Sequence, residues 1–244
     1  IKKLNLTSNN IYKANSALID KQKNIKHLKS SILFSKLNNK SEEWKTSLLK
    51  DVAYTAGRIG WKGLTAKEYV DDGPLFLSVH SLNHGDYVDF SRAFHITQER
   101  YDESPEIKLK SNDILICKDG AGIGKVGIVK EVFSPSTING SLLLIRSLDK
   151  IIPKYLYYYL ISPMFQKLVK EKIDGATTPH LYQREIKYFP ISYPSKTNQE
   201  KIVLEIESLI KKSNHLSENY SLMIDEYNHL KSSIALKELF EVSK

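Results

Sequence analysis

The stretch Asp119-Gly-Ala-Gly-Ile-Gly-Lys-Val-Gly127 carries glycines at positions 122, 124 and 127, the G-x-G-x-x-G spacing of dinucleotide-binding proteins. That motif holds a pyrophosphate only where a strand precedes the glycines and a helix follows them. A short apolar strand, Asp113–Cys117, precedes them, but residues 126–133 are β-branched and lack helical periodicity. The phosphate-loop motif is also incomplete, because Asp119 and Val126 stand where Gly and Ser or Thr are required. The glycines therefore predict a hairpin loop, not a nucleotide site.

The other residues with catalytic or metal-binding potential do not form a recognisable set. His80 and His84 are four residues apart, but the segment between them is typical of a strand end and a turn. No second cysteine or carboxylate cluster accompanies them, as a metal site would require. Asp102, Glu106 and Lys108 resemble a nuclease carboxylate set, but they lie in a proline-containing turn. The chain also lacks a diproline for an amino-methyltransferase loop, so we expect no catalytic residue and no metal site.

Charge is distributed unevenly along the 244 residues, whose net charge is +8. Residues 1–40 contain nine lysines and one acidic residue, whereas residues 41–244 contain 27 basic and 27 acidic residues. A basic arm on a neutral body is typical of nucleic-acid binding, although a solvated lysine-rich helix face accounts for the same charge. The single cysteine, Cys117, and the lack of a signal peptide or a membrane-spanning apolar run predict a cytoplasmic protein.

Two segments at the ends of the chain have the pattern of coiled-coil helices. Leu28-Lys-Ser-Ser-Ile32 recurs as Leu230-Lys-Ser-Ser-Ile234, and residues 1–56 and 195–244 contain neither proline nor glycine. Apolar residues recur every seven positions, as in helices that wind around a partner helix. The alternative is a pair of amphipathic helices packed on a globular core. The coiled-coil hypothesis predicts that residues 5–37 and 203–240 pack antiparallel through Ile11, Leu18, Ile25, Leu28, Ile32, Leu209, Leu216, Tyr220, Met223, Tyr227, Leu230 and Ile234.

The central block contains all 8 prolines and all 11 glycines and alternates strand-like with helical segments. Strands are predicted at residues 75–79, 87–90, 114–116, 126–129 and 141–146, and helices at 154–162 and 164–173. The predicted fold class is α+β, a mixed α/β globular domain flanked by two long coiled-coil-forming α-helices. The predicted boundaries are residues 1–40 for the N-terminal helix, 41–200 for the globular domain and 201–244 for the C-terminal helix.

Several motifs of the central block follow one another in the order of a known family. Trp44 and Leu49-Lys-Asp-Val52 open the block, and Tyr155-Leu-Tyr-Tyr-Tyr159 follows the glycine loop. Gly175-Ala-Thr-Thr-Pro-His-Leu181, Ile186-Lys-Tyr-Phe-Pro-Ile191 and residues 194–202 close it. With the flanking helices, this order resembles a target recognition domain in the specificity subunit of Type I restriction-modification systems. Lys50 departs from the family's more usual Leu-Gly-Asp-Val opening.

The resemblance implies a DNA sequence-specificity subunit without catalytic activity of its own. The family normally has two recognition domains and two conserved helices, so this chain is expected to be a half subunit that dimerises or a fragment. The expected partners are double-stranded DNA, the modification (methyltransferase) subunits and a restriction or motor subunit. S-adenosylmethionine, ATP and Mg are expected only on those partner subunits. The alternatives are a coiled-coil scaffold whose globular domain binds protein and, less favoured, a DNA-modifying enzyme domain.

DNA contacts are expected in the globular block. Lys118 and Lys125 flank the glycine loop and are candidates for phosphate contacts. Side chains able to bond base edges lie in polar or turn-like stretches, namely Arg58, Lys62, Asn83, Arg92, Gln98 and Arg100. His180 and Arg184 are further candidates, although His180 also suits a structural hydrogen bond in its turn.

Two features leave alternatives open. The glycine loop allows close backbone approach to another surface, which is either DNA or the neighbouring strand. The tyrosines at positions 155, 157, 158 and 159 either stack on bases or pack within a helix.

Overall fold

The computed structural model describes residues 2–38, 43–59, 64–83, 85–173 and 179–242, with side chains described throughout except at 2–12, 26, 235 and 237–242. Lys62, His84 and the side chain of Ile11 therefore lie outside the described part of the chain. The chain forms two compact units: residues 1–32 with 205–244, and residues 33–204.

The helices and strands follow one another in a mixed order, which confirms the predicted α+β class with long helices at both ends. They are α1 (Lys2–Leu37), β1 (Lys45–Leu48), α2 (Leu49–Val52), β2 (Ala53–Ala56), β3 (Val70–Leu77), β4 (Phe94–His95), α3 (Gln98–Asp102), β5 (Ile114–Cys117), β6 (Val126–Ile128), β7 (Ser136–Ile138), β8 (Leu142–Ser147), α4 (Pro153–Leu160), α5 (Pro163–Ile173), α6 (Gln183–Ile186), β9 (Pro190–Tyr193) and α7 (Lys196–Val242).

The predicted strand at residues 87–90 is wrong. Residues 90–92 form a 3-10 turn, and Tyr87 makes an isolated bridge to Ile128. Asp89 Oδ1 accepts hydrogen bonds from the backbone N of Ser91 at 2.9 Å and from its Oγ at 2.7 Å. An aspartate that bonds the backbone two residues ahead favours a turn over a sheet ladder.

The first unit is an antiparallel pair formed by parts of α1 and α7. Asn15 Nδ2 donates to Asn228 Oδ1 at 2.9 Å, and Gln22 Nε2 donates to Ser221 Oγ at 2.7 Å. The second bond lies seven residues later on α1 and seven residues earlier on α7. The two bonds therefore show that the helices run antiparallel, as the sequence predicts. Polar side chains fix the register of the pair.

The face that these helices bury agrees with the predicted one only in part. Leu18 and Ile32 are buried, and Ile25, Leu209, Tyr220, Tyr227 and Ile234 are half-buried. Leu28, Leu216, Met223 and Leu230 are instead 39–47% exposed. The buried positions of α7 within this unit include Ile206, Ile210 and Ser213.

Polar side chains explain the difference. Asn15 and Gln22 form the interhelical hydrogen bonds and Ser213 is buried, but none of these three polar residues belongs to the predicted apolar set. Small or hydrogen-bonded polar residues are compatible with a helix contact and specify its register. A prediction from apolar spacing alone therefore leaves these polar positions out of the buried face.

Three sheets organise the second unit. A four-stranded antiparallel sheet has the order β2-β8-β5-β6, a three-stranded sheet has the order β4-β3-β7 with β3 parallel to β7, and β1 pairs antiparallel with β9. All four residues of β5 are fully buried. A strand that is apolar at every position, Ile-Leu-Ile-Cys, suits burial on both faces. The core therefore centres on β5.

A buried ion pair joins β8 to the residue before β5. Arg146 Nε donates to Asp113 Oδ1 at 2.6 Å, and an Nη of the same side chain donates to Oδ2 at 2.7 Å. Asp113 Oδ2 also accepts from the Lys110 backbone N at 2.7 Å, and Arg146 donates to the Lys108 carbonyl at 3.0 Å. Bonding to Asp113 raises the pKa of Arg146. Because Asp113 is fully buried, loss of its partner would leave an uncompensated charge at a cost of about 3–5 kcal/mol.

A matched pair of substitutions tests the buried face of the helix pair. Leu18 is 8% exposed and Leu216 is 42% exposed. We expect Leu18→Asp to lower the free energy of unfolding by about 3 kcal/mol, because it buries an unpaired carboxylate. Leu216→Asp should change it by less than about 0.5 kcal/mol. Urea denaturation followed by circular dichroism measures both, and equal losses would contradict the observed face.

Candidate nucleic-acid interface

The glycine loop joins β5 to β6 as the predicted hairpin. The Cys117 backbone N donates to the Lys125 carbonyl at 2.8 Å, and the Gly124 N donates to the Cys117 carbonyl at 2.9 Å. Residues 120–122 form a single 3-10 turn within the loop. The hairpin therefore places Lys118 and Lys125 at the two ends of one short, hydrogen-bonded loop.

Three of the four loop glycines are packed against neighbouring protein. A Cβ would lie 2.6 Å from Val79 Cγ2 at Gly122, 2.8 Å from Gln166 Oε1 at Gly124, and 2.8 Å from Leu82 Cδ2 at Gly127. Gly120 differs, since it has a φ of +78° and open space where a Cβ would lie. Close packing against other residues of the same chain, some of them outside the adjacent strand, explains why glycine occupies these three positions.

A cleft of about 380 Å³ opens beside the end of β5, and we name it the His180 cleft. The Leu181 N donates to the Lys118 carbonyl at 2.9 Å, and His180 Nδ1 contacts Asp119 Oδ1. These contacts hold the chain leading into α6 against the hairpin. The lining residues are Gly57, Arg58, Lys118, His180, Tyr182, Gln183, Arg184 and Lys187.

The walls of the His180 cleft are cationic. Its described lining includes two arginines, two lysines and a histidine, with no carboxylate among them. The nearby carboxylate of Asp119 contacts His180 and accepts from Lys118 Nζ at 3.1 Å. Like charges gathered in a cleft concentrate the electrostatic field and attract a polyanion. The arrangement can therefore hold phosphate groups.

Exposed aromatic rings support these cations. The Arg184 guanidinium lies 4.5 Å from the centre of the Tyr182 ring, and the Lys50 and Lys187 ammonium groups lie 4.8 and 5.1 Å from that of Tyr188. Tyr182 and Tyr188 are 44% and 51% exposed. Cation–π contacts restrict long, flexible side chains, and aromatic rings interleaved with cations are typical of nucleic-acid-binding surfaces.

A second cleft, of about 500 Å³, borders the hairpin at its other lysine, and we name it the Arg92 cleft. Lys125 Nζ donates to Asn83 Oδ1 at 2.7 Å. The lining residues are His80, Asn83, Ser91, Arg92, Ala93 and Phe94. The structure thus gathers Asn83, Arg92 and Lys125 at one site, and Arg58, Lys118, His180 and Arg184 at another. Their contacts with DNA remain predictions.

Three residues predicted to bond bases, Arg58, Gln98 and Arg100, bond other residues of the protein instead. Arg58 is 5% exposed, and its Nε donates to the Ile138 carbonyl at 3.3 Å, so it forms part of the cleft wall. Burial, followed by the charge of Arg100, lowers the pKa of Arg58. A side chain buried in this way does not extend into a DNA groove.

Gln98 and Arg100 belong to neither cleft. Arg100 makes ion pairs with Glu68 at 3.0 Å and Glu103 at 2.5 Å. Gln98 Nε2 donates to Asp102 at 2.8 Å within α3. The residue types suited base contacts, but tertiary folding places acidic partners beside both.

The tyrosines of α4 are packing residues. Tyr155, Tyr157, Tyr158 and Tyr159 are all buried, and the Tyr155 hydroxyl donates to the Ser192 carbonyl at 2.8 Å. Burial raises the pKa of Tyr155 and Tyr157 well above the usual range. These rings therefore stabilise the core.

The described residues do not assemble groups for metal or thiol chemistry. Among them, no three His, Cys, Asp or Glu side chains come together as a metal site. Cys117 is fully buried, and burial raises the pKa of its thiol. In the same part of the chain, no helix is long and apolar enough to cross a membrane.

Sequence reasoning missed several residues of the two clefts. They are Gln183, Tyr182 and Lys187 of the His180 cleft, Tyr188 and Lys50 beside it, and His80, Ser91 and Phe94 of the Arg92 cleft. Residues 182–188, Tyr-Gln-Arg-Glu-Ile-Lys-Tyr, interleave aromatic and basic residues, which is a usable signal for nucleic-acid binding. Lys50 and Phe94 carried no comparable signal, because their neighbours are distant in sequence.

A cationic, aromatic-edged cleft on an α+β domain is an arrangement that suits contact with nucleic acid. Residues 41–222 match the Type I restriction modification DNA specificity domain. Because this match covers most of the chain, the chain belongs to that family.

Relatives share this assignment at low sequence identity. The chain is 24% identical over 196 residues to the Type I restriction enzyme EcoBI specificity subunit of Escherichia coli, covering 80% of this chain and 41% of the relative. It is 26% identical over 187 residues to the MjaIX specificity subunit of Methanocaldococcus jannaschii, covering 74% and 42%. The chain thus spans less than half the length of these relatives.

Solved structures share the fold. One chain from a type I R-M system, studied for complex assembly and conformational transition, has a TM-score of 0.76 at 16% identity, covering 96% of this chain and 56% of that one. The HsdS subunit from Thermoanaerobacter tengcongensis has a TM-score of 0.65 at 16% identity, covering 97% and 56%.

Substitution of two glycines tests the packing of the hairpin. Gly124 has a φ of +86° and lacks space for a Cβ, whereas Gly140 has nothing within 4 Å of a Cβ and no positive φ. We expect Gly124→Ala to lower the free energy of unfolding by about 2–3 kcal/mol, from backbone strain and overpacking against Gln166. The Gly140→Ala control should change it by less than about 0.5 kcal/mol. A tolerated Gly124→Ala, measured by urea denaturation, would mean that the loop packs loosely.

Proposed function

We propose that this chain recognises one half of a bipartite DNA target and scaffolds the methyltransferase subunits of a Type I restriction-modification complex. The observation that carries the proposal is the family match over residues 41–222, a range that includes both clefts and the hairpin between Lys118 and Lys125. The proposal is supported by Lys118, Arg184 and Lys187 of the His180 cleft, since these cations suit contact with phosphates.

The chain itself supplies recognition and not chemistry in this proposal. Its relatives are specificity subunits. S-adenosylmethionine, ATP and Mg would be bound by the partner subunits, and a restriction or motor subunit would join the same assembly. The chain's contribution is to place the target adenine or cytosine within reach of a methyltransferase that it carries.

The exposed apolar series of α7 supports the scaffolding role. Leu216, Met223 and Leu230 recur every seven residues and are each at least 42% exposed. A seven-residue apolar series is the pattern by which one helix packs on another, and these side chains lie outside the buried face of α7 itself. Another helix, contributed by a modification subunit, would cover them.

A protein-binding scaffold is the competing function, and salt distinguishes the two. Neutralisation of phosphates releases counter-ions, so DNA affinity falls steeply as salt rises. A protein partner held by apolar contacts would not show that dependence.

Exchange of the globular block tests where recognition lies. Residues 44–200 are replaced by the corresponding block of a related subunit, while both helical segments are kept. Methylation profiling should then report the donor's half-site, with assembly preserved, because recognition belongs to the block. Exchange of the helical segments alone is the control and should leave the methylated sequence unchanged. If the block-swapped subunit still methylates the original sequence, recognition lies elsewhere.

Charge substitutions on the exposed series test the scaffold. We expect the double variant Leu216→Asp with Met223→Asp to keep its circular dichroism spectrum but to lose co-purification with the modification subunits, because two carboxylates would be buried at the contact. Leu222→Asp is the matched control, since Leu222 is 63% exposed and lies outside the series. Unchanged co-purification of the double variant would remove this face from the assembly.

A further inference from the structure

We propose that the two clefts divide DNA contact between them, with the Arg92 cleft bonding base edges and the His180 cleft holding the phosphodiester backbone. Phosphate contacts position a protein on the duplex, whereas base contacts set its sequence preference. The inference rests on the proposed function and assigns specificity to named side chains. It follows from a difference in the chemistry of the two linings.

The Arg92 cleft presents the donors and acceptors that distinguish bases. Asn83 carries an amide, which can bond the N6 and N7 edge of adenine, and Arg92 carries a planar guanidinium, which can bond the O6 and N7 edge of guanine. The Lys125 ammonium bonds the Asn83 oxygen at 2.7 Å and so orients the amide, leaving its nitrogen as a donor and the second lone pair of its oxygen as an acceptor. Lys125 is therefore a positioning residue for Asn83.

The rest of the Arg92 cleft is built for a fixed geometry. The 3-10 turn that ends at Arg92 is held by two bonds to the Asp89 carboxylate. Phe94 is 42% exposed, and its ring stacks on Tyr69 with centroids 4.5 Å apart and an interplanar angle of 17°. A supported apolar ring suits contact with a thymine methyl group. A base-edge site requires this combination of directional polar groups and an apolar wall.

The His180 cleft has the opposite character. Its amide side chain, Gln183, donates one N–H to the Thr55 carbonyl at 2.9 Å, which ties that side chain to the protein. What the cleft offers a ligand is positive charge, with Arg184 held by the Tyr182 ring. Clustered positive charge attracts phosphate irrespective of sequence.

Binding measurements on the full chain assembled with its modification subunits separate the two roles. Affinities for the target duplex and for a set of single-base-pair variants are measured across a range of salt concentrations. We expect Asn83→Ala, which changes no charge, to lower affinity for the target about 5- to 150-fold and to flatten the preference at one position. The slope of log affinity against log salt should stay unchanged. Arg92→Lys should flatten the preference at another position while keeping that slope, because charge is retained and the planar fork is lost.

The His180 cleft should respond in the reverse manner. Arg184→Ala should weaken binding to every sequence by a similar factor and reduce the salt slope by about 0.9, the value for one phosphate contact. Arg184→Lys should restore most of that slope. Gln98→Ala, an exposed amide outside both clefts, is the control and should change neither quantity.

The outcomes separate the inference from the function on which it rests. Uniform weakening by Asn83→Ala and Arg92→Lys, with every base preference intact, would overturn the division between clefts while leaving DNA recognition in place. A change of preference caused by Arg184→Lys would do the same. If the wild-type assembly shows no sequence-dependent DNA binding at all, the proposed function fails, and the inference fails with it.

Discussion

The bidentate ion pair between Asp113 and Arg146 is the contact on which the position of both clefts depends. Asp113 immediately precedes β5, and Arg146 lies in β8, the neighbouring strand of the same sheet. A fully buried carboxylate is tolerated only when its oxygens are bonded, and here the Lys110 amide completes the arrangement. A slip of β5 by one residue would break all of these bonds and move each of its side chains to the opposite face of the sheet. The ion pair thus fixes one end of the strand whose other end carries the hairpin.

Close packing carries that constraint from β5 to the clefts. Gly122, Gly124 and Gly127 leave room for Val79, Gln166 and Leu82, so the 3-10 turn at residues 79–82 and helix α5, both distant in sequence, pack closely on the hairpin. The hairpin therefore cannot pivot freely about the end of β5. Lys118 and Lys125 are held at its two ends, where they border different clefts.

The sequence predicted the parts of the fold that depend on local pattern. The hairpin around the glycines, β3, β8 and the α4–α5 pair were all predicted, because their periodicity and turn residues are local. The β1–β9 pair was missed, since residues 45 and 193 meet only through tertiary folding. The buried helix face was predicted only in part, for a different reason. Ser213, Asn15 and Gln22 are buried or hydrogen-bonded, and a pattern based on apolar spacing does not include polar residues that take part in a helix contact. Residue type likewise selected Arg100 and Gln98 as base contacts, whereas acidic neighbours engage both.

The distribution of carboxylates explains how a nearly neutral block can present a cationic cleft. Residues 41–244 contain equal numbers of basic and acidic residues. Several acids are used within the fold: Glu68 and Glu103 bond Arg100, Asp102 bonds Lys108, and Asp113 bonds Arg146. The described lining of the His180 cleft contains five basic side chains, of which Lys118 and His180 contact the neighbouring Asp119. Its attraction for a polyanion is therefore local, and salt at physiological strength screens the field beyond about 8 Å. Such a surface adds little long-range attraction, so the proposed function requires that affinity come from contacts made at the target, and the proposed division assigns the selection among sequences to the Arg92 cleft.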